Sequence, residues 1–174
     1  MENEFGKLTN GHGIKIKNLM EQEDCLFCKI ASREIFSWTI WEDEDHLAFL
    51  TPFPNTPGFT VVATKLHLDS DVLQLPQDKL FSLISAGKEV SKILNAKLST
   101  KRTALIAEGM GVNHAHIKLI PLFGIPEGEW KPINSSLAVT FETYPGYISS
   151  HDGPRASDDE MNRIFKLLKT SKVK

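Results

Sequence analysis

Two short runs carry residue types that can do chemistry. The first is His114-Ala115-His116-Ile117-Lys118, followed by Leu119-Ile120-Pro121. Successive side chains of a β-strand point to opposite faces. As a strand, this run sets His114, His116, Lys118 and Ile120 on one face and Ala115, Ile117 and Leu119 on the other. Imidazole is neutral and nucleophilic near neutral pH, and an ammonium stabilises charge developing on phosphate oxygens. The spacing therefore suits an attack on phosphorus. The second run is Cys25-Leu26-Phe27-Cys28. Its two thiols, the only cysteines of the 174 residues, cannot form a disulfide framework. They read as half of a tetrahedral zinc site, as a thiol–disulfide motif, or as two reduced, half-buried cysteines. A redox motif normally precedes a helix in a βαβ context, and the pattern here does not supply one.

Composition narrows the classes. Twenty lysines and arginines against 22 acids give a net charge of -2, which argues against a nucleic-acid polymer as partner. No apolar run is long enough for a transmembrane helix, so no membrane association is expected. Residues 1–24 are polar, carry three glycines and show no signal-like apolar segment, which predicts a flexible arm and a cytoplasmic setting.

The elements that must position these residues follow from periodicity. Ser37–Trp41, Leu47–Leu50, Phe59–Ala63, Thr103–Ala107 and Ala115–Ile120 read as strands. The proline loop Pro52–Gly58 separates the second from the third. A long helix is predicted over Pro76–Leu98, where Leu80, Leu83, Ile84, Gly87, Val90, Ile93, Leu94 and Leu98 recur at helical spacing. Gly87 suggests close approach of another backbone, such as a partner helix. A short glycine turn, Gly109-Met110-Gly111, implies that the last two strands pair antiparallel. Leu137–Phe141 reads as a further strand, and Ser157-Asp158-Asp159-Glu160 as a helix start. The expected class is α+β, one domain over residues 25–121 with a C-terminal extension, 122–174, packed on it.

Three blocks in order resemble the histidine triad (HIT) superfamily of nucleotide hydrolases and transferases. They are Cys25–Ile30, the stretch from Leu47 through the proline loop to Thr64-Lys65-Leu66-His67, and His114–Ile120. The resemblance implies an antiparallel sheet of about five strands packed with a long helix, usually in a homodimer. It implies that His116 is the nucleophile, attacking the α-phosphorus of a nucleotide derivative such as a dinucleoside polyphosphate or nucleoside phosphoramidate. A covalent nucleotidyl-histidine would follow, with the second ring nitrogen held by a main-chain carbonyl of the motif. It implies a structural zinc on Cys25, Cys28, His67 and His114, and an apolar wall for the base from Phe27, Leu50 and Phe53.

This chain departs from the family pattern in the site itself. Lys118 stands where the third histidine is expected, with the role of a phosphate-binding and catalytic cation. Thr51 replaces a ribose-binding acid. The turn Glu108–Asn113 lacks the hydroxyl and amide side chains of the hydrolase branch, which leaves the Gly109 and Gly111 amides and Asn113 as phosphate donors. The alternative reading is a weakly active or inactive nucleotide-binding module with a structural zinc. His12, His46 and His151 are expected in solvated arm or turn segments, and Trp38, Trp41 and Phe49 in the core.

Overall fold

The computed structural model describes residues 24–125 and 155–169. The expectations for the N-terminal arm, the strand over 137–141 and His151 lie outside the described residues. In chain order the elements are α1 (Leu26–Ala31), β1 (Trp38–Glu42), β2 (His46–Leu50), β3 (Thr60–Thr64), α2 (Gln77–Leu98), β4 (Arg102–Ile106), β5 (His116–Leu122) and α3 (Asp158–Leu168). The five strands form one sheet in the order β1-β2-β3-β5-β4, with every neighbouring pair antiparallel. β3 and β4 therefore run the same way, and α2 makes the crossover between them while β5 fills the gap.

The two faces of this sheet do different work. On one face Ala48, Leu50, Val62, Ile117 and Leu119 pack beneath Leu83, Ala86, Val90 and Leu94 of α2. Met161, Ile164 and Leu168 of α3 join the same core. The Ser157 hydroxyl caps α3 by accepting the Glu160 amide, and three acids occupy its first turn, where the helix dipole favours them. On the other face Leu47, Phe49, Val61 and Ala63 pack against Cys25, Phe27 and Ile30. The short α1 thus covers the face opposite both long helices. The stripe on α2 is what binds it to the sheet, since each fully buried aliphatic side chain contributes about 1.5–3 kcal/mol.

Four details correct the sequence reading. His46 is not in a solvated turn. It opens β2, is only 3 % exposed, and takes the Asp43 carboxylate with both its amide and its Nδ1. The close approach at Gly87 is to the sheet rather than to a partner helix: a Cβ there would lie 2.6 Å from Ile117 Cδ1. The link between β4 and β5 is longer than the glycine turn alone, because β5 begins at His116 and residues 107–115 bend between the strands. Leu50 sits under α2 and α3, on the opposite side from Phe27, so it cannot join Phe27 in one apolar wall.

Candidate functional site

β5 lies between β3 and β4, so every side chain on it is placed by two neighbours. Register sets His116 opposite Ala63, and Lys118 opposite Val61 on one side and Ile106 on the other. Ile117 and Leu119 face the helices, and this anchors the alternation: His116 must then face α1. Ala63 is fully buried and leaves room for the imidazole, while the Phe27 ring meets His116 edge-on at 5.2 Å between centroids.

The His116 ring has one nitrogen committed. Its Nδ1–H donates to the His114 carbonyl oxygen at 2.7 Å. Nε2 therefore keeps its lone pair in the neutral ring. Burial holds His116 below the ordinary imidazole range and outweighs the hydrogen bond to the His114 carbonyl, which pulls the other way. The Lys118 charge adds to the lowering, while the Glu108 charge opposes it. A neutral imidazole with Nδ1 tied back and Nε2 unprotonated is the form that attacks an electrophile.

His114 is arranged the other way round. Its Nε2–H donates to the Thr64 carbonyl oxygen at 2.7 Å, which turns the Nδ1 lone pair toward two sulfurs. Nδ1 lies 3.3 Å from Cys25 Sγ and 3.5 Å from Cys28 Sγ, and His67 Nδ1 lies 3.4 Å from Cys28 Sγ. All four donor atoms fall within 4.8 Å of one another. Zinc ligands at about 2.3 Å for sulfur and about 2.0–2.1 Å for nitrogen, set at tetrahedral angles, leave a sulfur–nitrogen edge of roughly 3.5 Å. The three sulfur–nitrogen spacings match that edge, so this group of residues could hold a metal ion. Cys25 and Cys28 come from the N-cap and the first turn of α1, His67 from the segment after β3 and His114 from the segment just before β5, and a bound ion would tie all three together.

Without an ion the group is costly. Burial, with the neighbouring Cys25 sulfur, pushes the Cys28 thiol up to about 12. Burial likewise pulls His114 down to about 4. A divalent cation reverses the first effect by favouring the thiolate, and it needs the neutral imidazole that the second provides.

The remaining predicted site residues are placed less uniformly. Phe27 is buried against Phe49, His114 and His116. Thr51 follows the end of β2 and Phe53 lies in the proline loop; the Thr51 hydroxyl accepts the Phe53 amide, and Phe53 is exposed. Gly111 and Asn113 line an open cavity of about 620 Å³ together with Cys25 and His67, which puts them at the rim of the cysteine–histidine group. Asn113 Oδ1 also accepts the Ser70 amide at 3.3 Å and ties the two loops. Gly109 is needed there for two reasons. Its φ is +69°, and a Cβ would lie 2.6 Å from the Ser70 carbonyl oxygen.

One residue of the site went unnoticed in the sequence. Lys118 Nζ donates to the Glu108 carboxylate in an ion pair, and both side chains are only 14 % exposed. Glu108 lies two residues beyond Ile106, the β4 partner of Lys118. The pairing follows from that register, which the folded sheet sets: an acid two positions past a strand partner returns to the same face as the lysine.

Comparison with known proteins agrees with this architecture. The family model described as "HIT domain" matches residues 32–125. An uncharacterized HIT-like protein of Methanocaldococcus jannaschii is 34 % identical over 104 residues, covering 57 % of this chain and 79 % of that protein. The chain belongs to the HIT domain family. Its fold is also that of a Zn-bound histidine triad family protein from Mycobacterium smegmatis, with a TM-score of 0.56 at 20 % identity over 84 % of this chain and 94 % of that one. A HIT family hydrolase from Clostridium thermocellum aligns with a TM-score of 0.51 at 30 % identity, covering 62 % of this chain and 96 % of that one. No helix among the described residues is long and apolar enough to cross a membrane.

Proposed function

We propose that this protein is a nucleotide hydrolase or nucleotidyl transferase acting at the α-phosphorus of a nucleotide derivative, of the dinucleoside polyphosphate or nucleoside phosphoramidate class. The observation that carries this reading is the His116 Nδ1–H bond to the His114 carbonyl, which aims an unprotonated Nε2 away from the main chain. Nε2 forms a bond to phosphorus as the bond to the leaving group breaks; a phosphate leaves as the anion with that electron pair, and an amine leaves neutral, having taken a proton from solvent. Throughout, the imidazolium keeps its Nδ1 proton on the His114 carbonyl. Water, or another hydroxyl acceptor, then attacks phosphorus. The N–P bond breaks, its electrons return to Nε2, and the acceptor's proton passes to solvent. Lys118 is the cation available to phosphate oxygens.

Cys25, Cys28, His67 and His114 would hold a zinc ion in a closed, structural site. When bound, the ion supplies a fixed cross-link, with no open position for substrate. It sets the orientation of His114, whose carbonyl orients His116 in turn. The zinc in the Mycobacterium smegmatis relative is consistent with this choice of metal. A homodimer is the assembly we favour, because Phe81 and Ile84 of α2 and Leu105 of the edge strand β4 are large apolar side chains left exposed.

The test is turnover of adenosine phosphoramidate and diadenosine polyphosphate by wild type and by His116→Ala. Wild-type activity at least ~1,000-fold above the variant is expected for loss of a covalent nucleophile. Equal rates would discard the enzyme. A second reading, a nucleotide-binding module with little catalysis, is favoured by the Glu108 pair, which occupies Lys118. Nucleotide affinity without turnover would select it.

A further inference from the structure

A lysine as buried as Lys118 needs a partner for its charge, and which partner it has sets the local charge that a substrate meets. Here that partner is Glu108, and the two side chains are equally buried. Lys118 follows His116 by two residues on β5 and shares its face of the sheet, which brings the pair beside the imidazole. Lys118 lies on β5 opposite Val61 of β3 and Ile106 of β4, and Glu108 follows two residues after Ile106, just past the end of β4. The local charge beside His116 is therefore zero rather than +1. A phosphate oxygen that takes the ammonium of Lys118 also brings its negative charge up to the Glu108 carboxylate. The repulsion grows with each further charge on the incoming group, and burial weakens the solvent screening that would otherwise hide it.

We propose that Glu108 is a specificity-determining residue: by neutralising Lys118 beside His116, it selects nucleotide derivatives that carry no anionic group beyond the reacting phosphorus, and disfavours polyphosphate chains. This inference rests on the function proposed above and narrows its substrate class. A nucleoside phosphoramidate carries one charge at phosphorus. Its amine leaving group is neutral or, once protonated, cationic, and a carboxylate attracts the latter. A nucleoside triphosphate or a dinucleoside polyphosphate adds two or more anionic groups next to the same carboxylate.

The experiment is a charge series on the full chain purified with its metal: wild type, Glu108→Gln, Lys118→Gln and the double variant, with local charges of 0, +1, -1 and 0. Affinities for AMP, ADP and ATP are measured by calorimetry, alongside kcat/KM for adenosine phosphoramidate and diadenosine tetraphosphate. Metal content and Tm confirm that each variant is folded. One unit charge about 10 Å away, at an effective dielectric constant of about 20, is expected to shift the ATP-to-AMP affinity ratio on the order of tenfold. Glu108→Gln should shift it toward ATP, Lys118→Gln toward AMP, and the double variant should return to within about threefold of wild type, as expected for a pair that acts as a unit. The phosphoramidate preference in kcat/KM should follow the same order. If Glu108→Gln does not fold, the contrast between Lys118→Gln and the double variant still carries the test. Ratios that stay constant across the series, or move the same way on removal of either charge, overturn the inference while leaving nucleotide binding intact. Absence of nucleotide binding in all four proteins overturns the proposed function as well.

Discussion

Phe27→Ala separates the packing of the site face from its chemistry. Phe27 is 7 % exposed and meets the rings of Phe49, His114 and His116 at 5.3, 5.7 and 5.2 Å. Removing a buried phenylalanine ring costs about 3–5 kcal/mol from lost transfer energy and the cavity left behind. Edge-on ring contacts, at about 0.5–1.5 kcal/mol each, are part of that figure. The value should lie near the low end, because α1 is a single short element that can settle onto the gap. Urea denaturation of the metal-loaded protein should therefore show a loss of about 3 kcal/mol. The same change exposes His116, whose lowered proton affinity has burial as its largest cause. The acid limb of kcat/KM should then move upward in pH, toward the ordinary histidine value of about 6.5. Leu50→Ala is the control. It removes a comparably buried side chain from the helix side of the sheet. It should cost about 2–5 kcal/mol and leave the acid limb in place. The reasoning fails if Phe27→Ala costs under about 1 kcal/mol, or if Leu50→Ala moves the acid limb as far.

Three further outcomes follow from the same geometry. Elemental analysis should find one zinc per chain, and Cys28→Ser should lose it and lower Tm, because it removes one of the four donors that the described residues bring together; an unchanged metal content would exclude this site. In metal-free protein His114 is held at about 4 while an unfolded histidine titrates near 6.5, so the unfolded state binds its proton first as pH falls. Stability is then intact above about pH 6.5 and declines by roughly 3 kcal/mol down to about pH 4, and a flat profile over that window in denaturant titrations would contradict the burial of His114. Gly87→Ala gains about 1 kcal/mol of helix propensity but drives a methyl into Ile117, a clash of about 1–3 kcal/mol, so chemical denaturation should show a net loss; a more stable variant would show that Ile117 moves aside at little cost.

How much of this was legible in the sequence differs from residue to residue. The long helix was, because Leu83, Val90 and Leu94 repeat at the helical period and only one face of α2 is buried. The strand carrying His116 was also, since polar and apolar residues alternate along it. Leu50 was not: all five residues of β2 are buried, so no alternation marks which of them face the helices. His46 was misread because the acids before it suggested solvent. One of them, Asp43, instead folds back to pair with it at the buried start of β2. Glu108 was missed because its partner is set by the β4–β5 register, and register is decided by tertiary packing rather than by either segment alone.

The central claim is that His116 Nε2 becomes covalently nucleotidylated. Rapid acid-free quenching during turnover of adenosine phosphoramidate, followed by peptide mass spectrometry, tests it most directly. An adenylyl group is expected on the peptide containing His116, absent from His116→Ala and abolished by prior incubation with a nonhydrolysable nucleotide. Substrate consumption with no adduct on that peptide, or with the adduct on another residue, would contradict it.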